Sequence, residues 1–284
     1  MKLLRFGAPG EERPGLLDAD GQIRDLSAVI DDIGGDSLSP ASLERLRAID
    51  VDTLQVVEGD VRLGSCVVKP GKFIGIGLNY SDHEAEAGLP SPEEPVVFYK
   101  ADTSISGPND DIVQPPGSSK LDWEAEIGIV IGSRAQYLDE AGAAAAIAGY
   151  CVINDVSERG FQIDRGGSQW SKGKGCDSFG PTGPWLVTTD EIDDVQDLAM
   201  WLDVNGKRFQ DGNTRNMIFG CVYLVSYLSQ FMTLMPGDLI TTGTPAGVAL
   251  GFAEPPWLKP GDIVELGIDK LGQQRQRVVA FPDA

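Results

Sequence analysis

The chain has 284 residues and a mass of 30.3 kDa, enough for one large domain or two unequal ones. Its 43 acidic residues against 23 basic ones give a formal net charge of -20, which excludes nucleic acid and an anionic membrane surface as partners. The 35 glycines and 18 prolines, together with 42% apolar residues, predict a folded, turn-rich and mostly β protein.

The N-terminal sequence MKLLRFGAPGEE has no apolar stretch long enough for a signal peptide. The longest uncharged apolar run, 141–153, is shorter than the ~20 residues of a membrane span. We therefore expect a soluble cytoplasmic protein that contacts no membrane. No CxxC pair occurs, so we expect reduced thiols at Cys66, Cys151, Cys176 and Cys221.

The predicted elements divide the chain at about residue 68. Residues 1–68 form a small α+β N-terminal domain, with a hairpin around Asp20-Gly21 and a helix that begins at Ser39-Pro40. Residues 69–284 form the larger unit, in which short strands alternate with Gly/Pro turns. Helices are expected in this unit only near 139–148, 158–165 and 216–231.

Several familiar motifs are absent. Gly75-Ile-Gly77 is followed by Tyr80 where a dinucleotide-binding fingerprint requires glycine, and no lysine that follows glycine is itself followed by Ser or Thr as in a phosphate-binding P-loop. A single histidine excludes HExxH zinc proteases and multi-histidine metal centres.

An acidic strand is the strongest chemical signal. In DWEAEIGIVIG, residues 122–132, Glu124 and Glu126 are two apart and therefore share a face of the strand, and the apolar residues beyond them indicate burial on both faces. Asp155 follows the next strand-like run. Three carboxylates form an oxygen-only site suited to Mg²⁺, Mn²⁺ or Ca²⁺. The alternative is a half-exposed strand whose glutamates lie in water.

Two other segments carry reactive side chains. His83 and Glu86 are three residues apart on a predicted helical turn, where the carboxylate would orient the imidazole; a lone surface histidine beside an unrelated acid is the alternative. The stretch 159–174 is locally basic and glycine-rich, which favours an anionic substrate over a few solvated cations. Its cations are Arg159, Arg165, Lys172 and Lys174.

Taken together, these motifs resemble the fumarylacetoacetate hydrolase family, and in particular its short bacterial members that act on acylpyruvates and 2,4-diketo-3-deoxy sugar acids. The resemblance covers about residues 70–280. It rests on six landmarks in order: GLNYSDHEAE, DWEAEIGIVIG, VINDVSERGFQ, WSKGKGCDSFGPTGPW, WLDVNGKRFQDGNT and PGDLITTGTPAGV.

The resemblance implies a role for nine residues. The metal ligands would be Glu124, Glu126 and Asp155, with Mg²⁺ or Mn²⁺ as the ion and Ca²⁺ as a crystal substitute. The catalytic residues would be His83, Glu86 and Lys174, and the substrate-binding residues Arg159, Gln162 and Thr244. The implied fold is α+β and β-rich, a mixed β-sandwich roll with a small N-terminal domain, assembled as a homodimer.

The implied activity is hydrolysis of the carbon–carbon bond of a 2,4-diketo acid. The WSKGKGCDSFGPTGPW and QDGNT stretches look most like the sugar-acid branch, whose L-rhamnonate or L-fuconate type substrate gives pyruvate and lactate. Within the same fold, the alternatives are an oxaloacetate-type decarboxylase, an isomerase and a ureidoglycolate lyase. A non-catalytic acidic protein that binds a metal ion is an alternative of a different class.

Overall fold

The protein is described from a computed structural model that covers residues 1–82, 92–167 and 169–282. Its strands are β1 (Lys2–Phe6), β2 (Arg13–Leu17), β3 (Ile23–Asp25), β4 (Phe73–Gly77), β5 (Val96–Lys100), β6 (Ile105–Ser106), β7 (Ile112–Gln114), β8 (Leu121–Asp122), β9 (Ala125–Ile131), β10 (Ile147–Asn154), β11 (Ser157–Glu158), β12 (Gly180–Thr188), β13 (Ala199–Val204), β14 (Lys207–Asn213), β15 (Leu239–Thr241), β16 (Ile263–Ile268) and β17 (Gly272–Ala280).

The helices are few and short, as the sequence predicts. In the described part of the chain, the α-helices are α1 (Pro40–Arg47), α2 (Glu140–Ala146), α3 (Ser171–Lys174) and α4 (Cys221–Ser229). The same residues form one π-helical turn, Gly160–Asp164, and six 3₁₀ turns: Gly35–Leu38, Val51–Thr53, Asp102–Ser104, Thr189–Glu191, Thr214–Asn216 and Ala249–Gly251.

Two mixed sheets form the framework. The larger one has ten strands in the order β3-β2-β1-β12-β10-β9-β15-β4-β5, with β6 paired to β12. The second has five strands in the order β14-β13-β16-β17-β7, and a small ladder joins β11 to β8. The α+β, β-rich class predicted from the sequence is confirmed.

Strand β9 lies in the middle of the larger sheet and is buried throughout. Its residues Ile127, Ile129 and Ile131 belong to an apolar cluster that also contains residues of β13, β16 and α4. Val130, which points to the opposite face, belongs to a second cluster. The two clusters explain why this segment alternates little in hydrophobicity, since both of its faces are covered.

The N-terminal segment joins the larger sheet directly. β1 pairs antiparallel with β12, with Leu3 opposite Leu186. The second apolar cluster contains Leu3 and Leu16 together with Phe73, Val130 and other residues of the larger unit. Strands β1 to β3 therefore extend the catalytic sheet, while the domain boundary at residue 68 stays a prediction.

Several local predictions are confirmed. The hairpin around Asp20-Gly21 joins β2 to β3, and Ser39 caps α1 by accepting a hydrogen bond from the Ser42 amide, with Pro40 in the first turn. The helix expected over 139–148 ends at Ala146, because the following β-branched and aromatic run pairs with β9 as β10. Among the described residues, no helix has the length and apolarity needed to cross a membrane.

Because β1 of the N-terminal segment belongs to the larger sheet, we expect that residues 69–284 will not be stable alone. Deleting β1 unpairs one edge of β12 and removes large side chains from the second cluster, each worth about 2–5 kcal/mol. We expect the fragment to yield little soluble folded protein, measured by expression and by thermal unfolding. The control is Arg47→Ala in the full chain, which removes surface ion pairs with Asp190 and Glu44 and costs about 1 kcal/mol or less. A fragment with the unfolding midpoint of the full chain would contradict this expectation.

Candidate active site

Three acids converge where β9 and β10 lie side by side. Asn154 is opposite Ala125 in the antiparallel register, so the residues flanking this pair, Asp155 after β10 and Glu124 before β9, are neighbours. The Asp155 amide donates to the Glu124 carbonyl at 2.8 Å. One carboxylate oxygen from each of Glu124, Glu126 and Asp155 lies within 4.8 Å of the others, and all three residues are buried. The solvated-glutamate alternative is therefore wrong.

Two of the predicted basic residues enter this cluster. Lys174, at the end of α3, places its Nζ 2.5 Å from Glu124 Oε2 and 2.8 Å from Asp155 Oδ2. Arg159, directly after β11, donates from Nη2 to Glu124 Oε1 at 2.6 Å. Both cations are buried. Burial disfavours their charged forms, but the neighbouring carboxylates outweigh it and raise the pKa of both side chains.

A third cation, Lys100, belongs to the cluster and was missed in the sequence. Its Nζ donates to Asp155 Oδ1 at 2.6 Å and also to the backbone carbonyl of Lys174. The side chain is buried, and burial lowers its pKa despite the adjacent Asp155 carboxylate. A signal was present: on β5, Phe98 and Lys100 share the inward face of the strand, so period-2 alternation predicts a buried lysine.

Asp122 is a second site residue that the sequence did not reveal, and its carboxylate binds the Arg159 guanidinium. Its Oδ2 accepts from Arg159 Nε at 2.8 Å, while its Oδ1 accepts from the amides of Trp123 and Ala249. Asp122 is fully buried. The sequence showed it only as the first letter of DWEAE, with nothing to separate it from a solvated turn residue.

Glu126 differs from the other acids because no lysine or arginine is hydrogen-bonded to it. Its Oε2 accepts from the Thr241 hydroxyl and, at 2.7 Å, from the Gly243 amide, and no hydrogen bond from the described residues reaches Oε1. Burial raises its pKa well above the usual range, and the Asp155 and Glu124 charges add to the rise. Within the described ranges, the site therefore holds one buried carboxylate more than it holds cations.

Two of the three acids, Glu124 and Glu126, line a cavity of about 360 Å³. Gln162 and Thr244, both predicted substrate-binding residues, also line it. Gln162 accepts from Arg159 Nη1 at 2.9 Å, and the Thr244 hydroxyl donates to the Ala125 carbonyl at 3.0 Å. The remaining wall is mostly apolar and includes Ile76, Leu78, Phe98, Ile163, Trp170 and Leu250.

The position of Trp170 depends on a glycine. A Cβ atom added to Gly77 would lie 2.1 Å from the Trp170 ring, so only glycine at the end of β4 lets the indole cover this part of the cavity. The ring also packs against Phe98, with 5.6 Å between the ring centres. The sequence contained Trp170 in a landmark motif but gave it no role.

The remaining predicted residues fall into two groups. Arg165 and Lys172 are exposed and do not line the cavity, so only half of the basic stretch 159–174 supplies charge to it. His83 and Glu86 lie outside the described residues. Their proposed pairing stays a prediction from the sequence.

The donor set fits a divalent metal ion. Hard cations such as Mg²⁺ and Mn²⁺ prefer carboxylate oxygens, and three of these converge here from rigid strand ends. The Glu126 carboxylate also lacks a cation among the described side chains, which is the charge that a bound ion would supply. Glu124, Glu126 and Asp155 are therefore the residues that could hold an ion.

Comparison with known proteins agrees with this geometry. Residues 72–279 match the family described as "Fumarylacetoacetate (FAA) hydrolase C-terminal", and the chain belongs to the fumarylacetoacetate hydrolase family. A provisionally named hydrolase of Burkholderia multivorans is 61% identical over 277 residues, which is 97% of this chain and 98% of that protein.

Two solved structures extend the likeness to the whole chain. Fumarylacetoacetate hydrolase from Exiguobacterium antarcticum has a TM-score of 0.86 and 35% identity, with 99% of this chain and 100% of that chain covered. Maleylpyruvate hydrolase from Sphingobium sp. SYK-6, in complex with manganese(II) and pyruvate, has a TM-score of 0.80 and 28% identity, with the same coverage.

The uncompensated Glu126 predicts opposite effects of two similar substitutions. Without a metal ion, Glu126→Gln should raise the unfolding temperature, by about 2–4 °C for ~1 kcal/mol, because it removes a buried charge that lacks a cation. Glu124→Gln should lower it, because Arg159 and Lys174 lose a partner. Differential scanning calorimetry in EDTA measures both effects.

The free energy of unfolding should depend on pH through Glu126, and the direction of this dependence can be stated. A folded-state pKa raised above the unfolded value of ~4.3 means that ionising Glu126 destabilises the fold, so wild-type stability should fall as the pH rises above that value. The advantage of Glu126→Gln should accordingly be larger at pH 8 than at pH 5. Equal destabilisation by the two variants would refute the charge imbalance.

Proposed function

We propose that this protein is a metal-dependent hydrolase that cleaves the carbon–carbon bond of a 2,4-diketo acid to pyruvate and a second acid. The observation that carries the proposal is the convergence of Glu124, Glu126 and Asp155 beside a cavity that the two glutamates line, with a buried charge that calls for a further cation. Membership of a hydrolase family supports it. The relative whose structure contains manganese(II) and pyruvate supports the choice of Mg²⁺ or Mn²⁺ as the ion and of pyruvate as a product.

Glu124, Glu126 and Asp155 are the residues that would hold the ion. When bound, it supplies Lewis-acid stabilisation of the negative charge that develops on the keto acid half of the substrate. Lys174 would stabilise the charge that develops on the distal carbonyl oxygen. Its ammonium lies at the rim of the acid cluster, beside two of the three carboxylates.

His83 is the proposed base, and Glu86 would orient its imidazole. His83 removes a proton from water, and the water oxygen bonds to the distal carbonyl carbon, C4. The C3–C4 bond then breaks and its electron pair stays on C3. C3 takes up a proton to become the methyl group of pyruvate, and the C4 fragment leaves as the second acid.

Arg159, Gln162 and Thr244 are the proposed substrate-binding residues. Arg159 donates one hydrogen bond from each of its three nitrogens to Asp122, Glu124 and Gln162. A guanidinium carries five N–H groups, so two remain for a substrate carboxylate. Its role would then be double, since it neutralises Glu124 and also binds the anionic end of the substrate.

The apolar wall favours a substrate with a short, uncharged distal end. Phe98, Trp170 and Leu250 offer no group that pairs with a second carboxylate, whereas a terminal methyl group would pack against them. The L-rhamnonate or L-fuconate type of diketo acid, which releases lactate, carries such a methyl group. This wall supports the sugar-acid assignment made from the sequence.

Three alternatives use the same site. An oxaloacetate-type decarboxylase and an isomerase would need the acid cluster but no activated water, so they would depend less on His83. A non-catalytic metal-binding protein would need only the carboxylates. Phe98, Trp170 and the apolar wall favour an enzyme over it, because a plain ion site needs no apolar cavity beside it.

Assembly as a homodimer and residence in the cytoplasm remain proposals. Aromatic side chains on one side of α4 stack in a row, and Tyr223 and Phe231 in this row are exposed. An exposed aromatic row of this kind is a feature of protein interaction surfaces and supports an assembled state.

The activity is tested with a substrate panel. We expect release of pyruvate from 2,4-diketo acids with added Mg²⁺ or Mn²⁺, and none in EDTA, as measured by a coupled pyruvate assay. Asp155→Ala should abolish both metal binding and turnover, because two remaining carboxylates hold the ion weakly. A preference for oxaloacetate over every diketo acid would favour the decarboxylase. Full activity in EDTA would show that the reaction does not depend on a metal ion.

Two lysine substitutions test whether Lys174 stabilises charge during the reaction independently of metal binding. Lys174→Met should lower kcat by about 10²–10³, the usual cost of one lost donor at a developing oxyanion, without weakening the affinity for Mn²⁺. Lys172→Met is the matched control, because Lys172 is exposed, lies outside the cavity lining and donates to the Arg165 carbonyl. If Lys174→Met kept its kcat, or if both variants lost activity equally, Lys174 would have no catalytic role.

A further inference from the structure

The stretch WLDVNGKRFQDGNT, residues 201–214, is a landmark of the sequence without a role in the proposed reaction. It forms β13 and β14 of the second sheet. β14 runs beside residues 242–247, which directly follow β15 and which we name the Thr244 turn. Gly243 and Thr244 of this turn line the cavity. Gln210 joins β14 to the turn by hydrogen bonds, and Phe209 and Gly212 of β14 pack against the same turn.

Gln210 is fully buried, and its amide bridges two elements of the site. Nε2 donates to Thr244 Oγ1 at 2.7 Å and to the Pro245 carbonyl at 2.9 Å, while Oε1 accepts from the Ala125 amide at 2.9 Å. A carbonyl only accepts and an amide N–H only donates, so these partners fix which end of the side-chain amide is which. Ala125 lies between two of the proposed metal ligands, Glu124 and Glu126.

The Thr244 hydroxyl is fixed by the same contact. It accepts from Gln210 and donates to the Ala125 carbonyl, so its single proton is already directed at β9. The Thr244 turn is thereby linked to both backbone polar groups of Ala125: directly to its carbonyl, and through Gln210 to its amide. Any displacement of the turn away from β9 would break hydrogen bonds in a buried place, where unsatisfied groups are costly.

The turn is also seated tightly on β14. A Cβ atom added to Gly212 would lie 2.6 Å from Pro245 Cβ, and one added to Gly247 would lie 2.0 Å from the Phe209 carbonyl oxygen. Gly247 has a φ of +103°, which other residues rarely adopt. No side chain therefore fits at position 212 or 247, so the position of β14 constrains the position of the turn.

We infer that Gln210 is a positioning residue that sets the distance between the Thr244 turn and the acidic strand β9. Through it, the second sheet fixes the substrate-binding edge of the cavity relative to the carboxylates. The part of this inference that concerns substrate rests on the proposed role of Thr244, whereas the placement of the turn does not. Glutamate would not replace Gln210, because a carboxylate cannot donate to Pro245 and would add another negative charge beside the acid cluster.

Gln210→Met tests the inference with Gln274→Met as its matched control. Gln274 is also buried, and its Nε2 donates to the carbonyls of Val152, Pro181 and Gly183 without touching the Thr244 turn. Both variants lose buried hydrogen bonds, so both should lower the unfolding temperature. Only Gln210→Met should raise KM about tenfold, the effect of one lost hydrogen bond at the binding edge, with kcat and the Kd for Mn²⁺ changed less than about threefold.

Two further measurements keep the test independent of activity. Hydrogen exchange of residues 242–247 should be faster in Gln210→Met than in Gln274→Met when both are compared with the wild type. Gly212→Ala, which keeps Gln210 but pushes on Pro245, should raise KM in the same way.

The outcomes separate this inference from the proposed function. If the wild type cleaves no diketo acid, the proposed function fails, and exchange in the Thr244 turn still decides whether Gln210 positions it. If Gln210→Met and Gln274→Met show the same KM and the same exchange in 242–247, Gln210 is only a buried structural glutamine and the inference is overturned.

Discussion

Burial of four carboxylates at the adjoining ends of β8, β9 and β10 is the constraint on which the rest of this structure depends. Asp122, Glu124, Glu126 and Asp155 lie within a few residues of these ends and are almost fully buried. At an effective dielectric constant of about 20, two such charges ~4 Å apart repel by about 4 kcal/mol. A fold that holds them together must supply cations or accept a large cost in stability.

The cations come from three separate parts of the chain. Lys100 is at the end of β5, Arg159 follows β11, and Lys174 ends α3, so each is delivered by a different element. Among the described residues, three cations serve four acids, and Glu126 is the acid to which none of the three is hydrogen-bonded. A bound divalent ion would offset this imbalance, so the proposed metal-dependent reaction would use an arrangement of charges that costs stability in the absence of the ion.

The sequence predicted the parts of the site that depend on local pattern. Two glutamates at strand spacing, a following aspartate at a strand end and the burial of the intervening residues were sufficient to place the acid cluster. Lys174 and Arg159 were identified by the family resemblance. Asp122 and Gln210 were not found, because their importance arises from contacts with residues at least 34 positions away in the chain, which no local periodicity encodes.

The local elements of the fold were likewise predictable from the sequence, whereas the pairing of distant strands was not. Short strands, sparse helices and the first hairpin follow from turn residues and alternation. The joining of β1 to β12 was not foreseen, because pairing between strands more than 180 residues apart depends on the register Leu3 opposite Leu186 and on which sheet edge is open. The long-range order of strands is thus the feature that only the structure supplied.

The central claim is that Glu124, Glu126 and Asp155 together bind a divalent ion in the cavity. Anomalous diffraction from a crystal grown with Mn²⁺ and oxalate tests it most directly. The account predicts one strong peak at about 2.1–2.2 Å from an oxygen of each carboxylate, the usual range for a six-coordinate hard cation, with oxalate beside it in the cavity. A peak elsewhere, or none at a Mn²⁺ concentration that supports turnover, would contradict it.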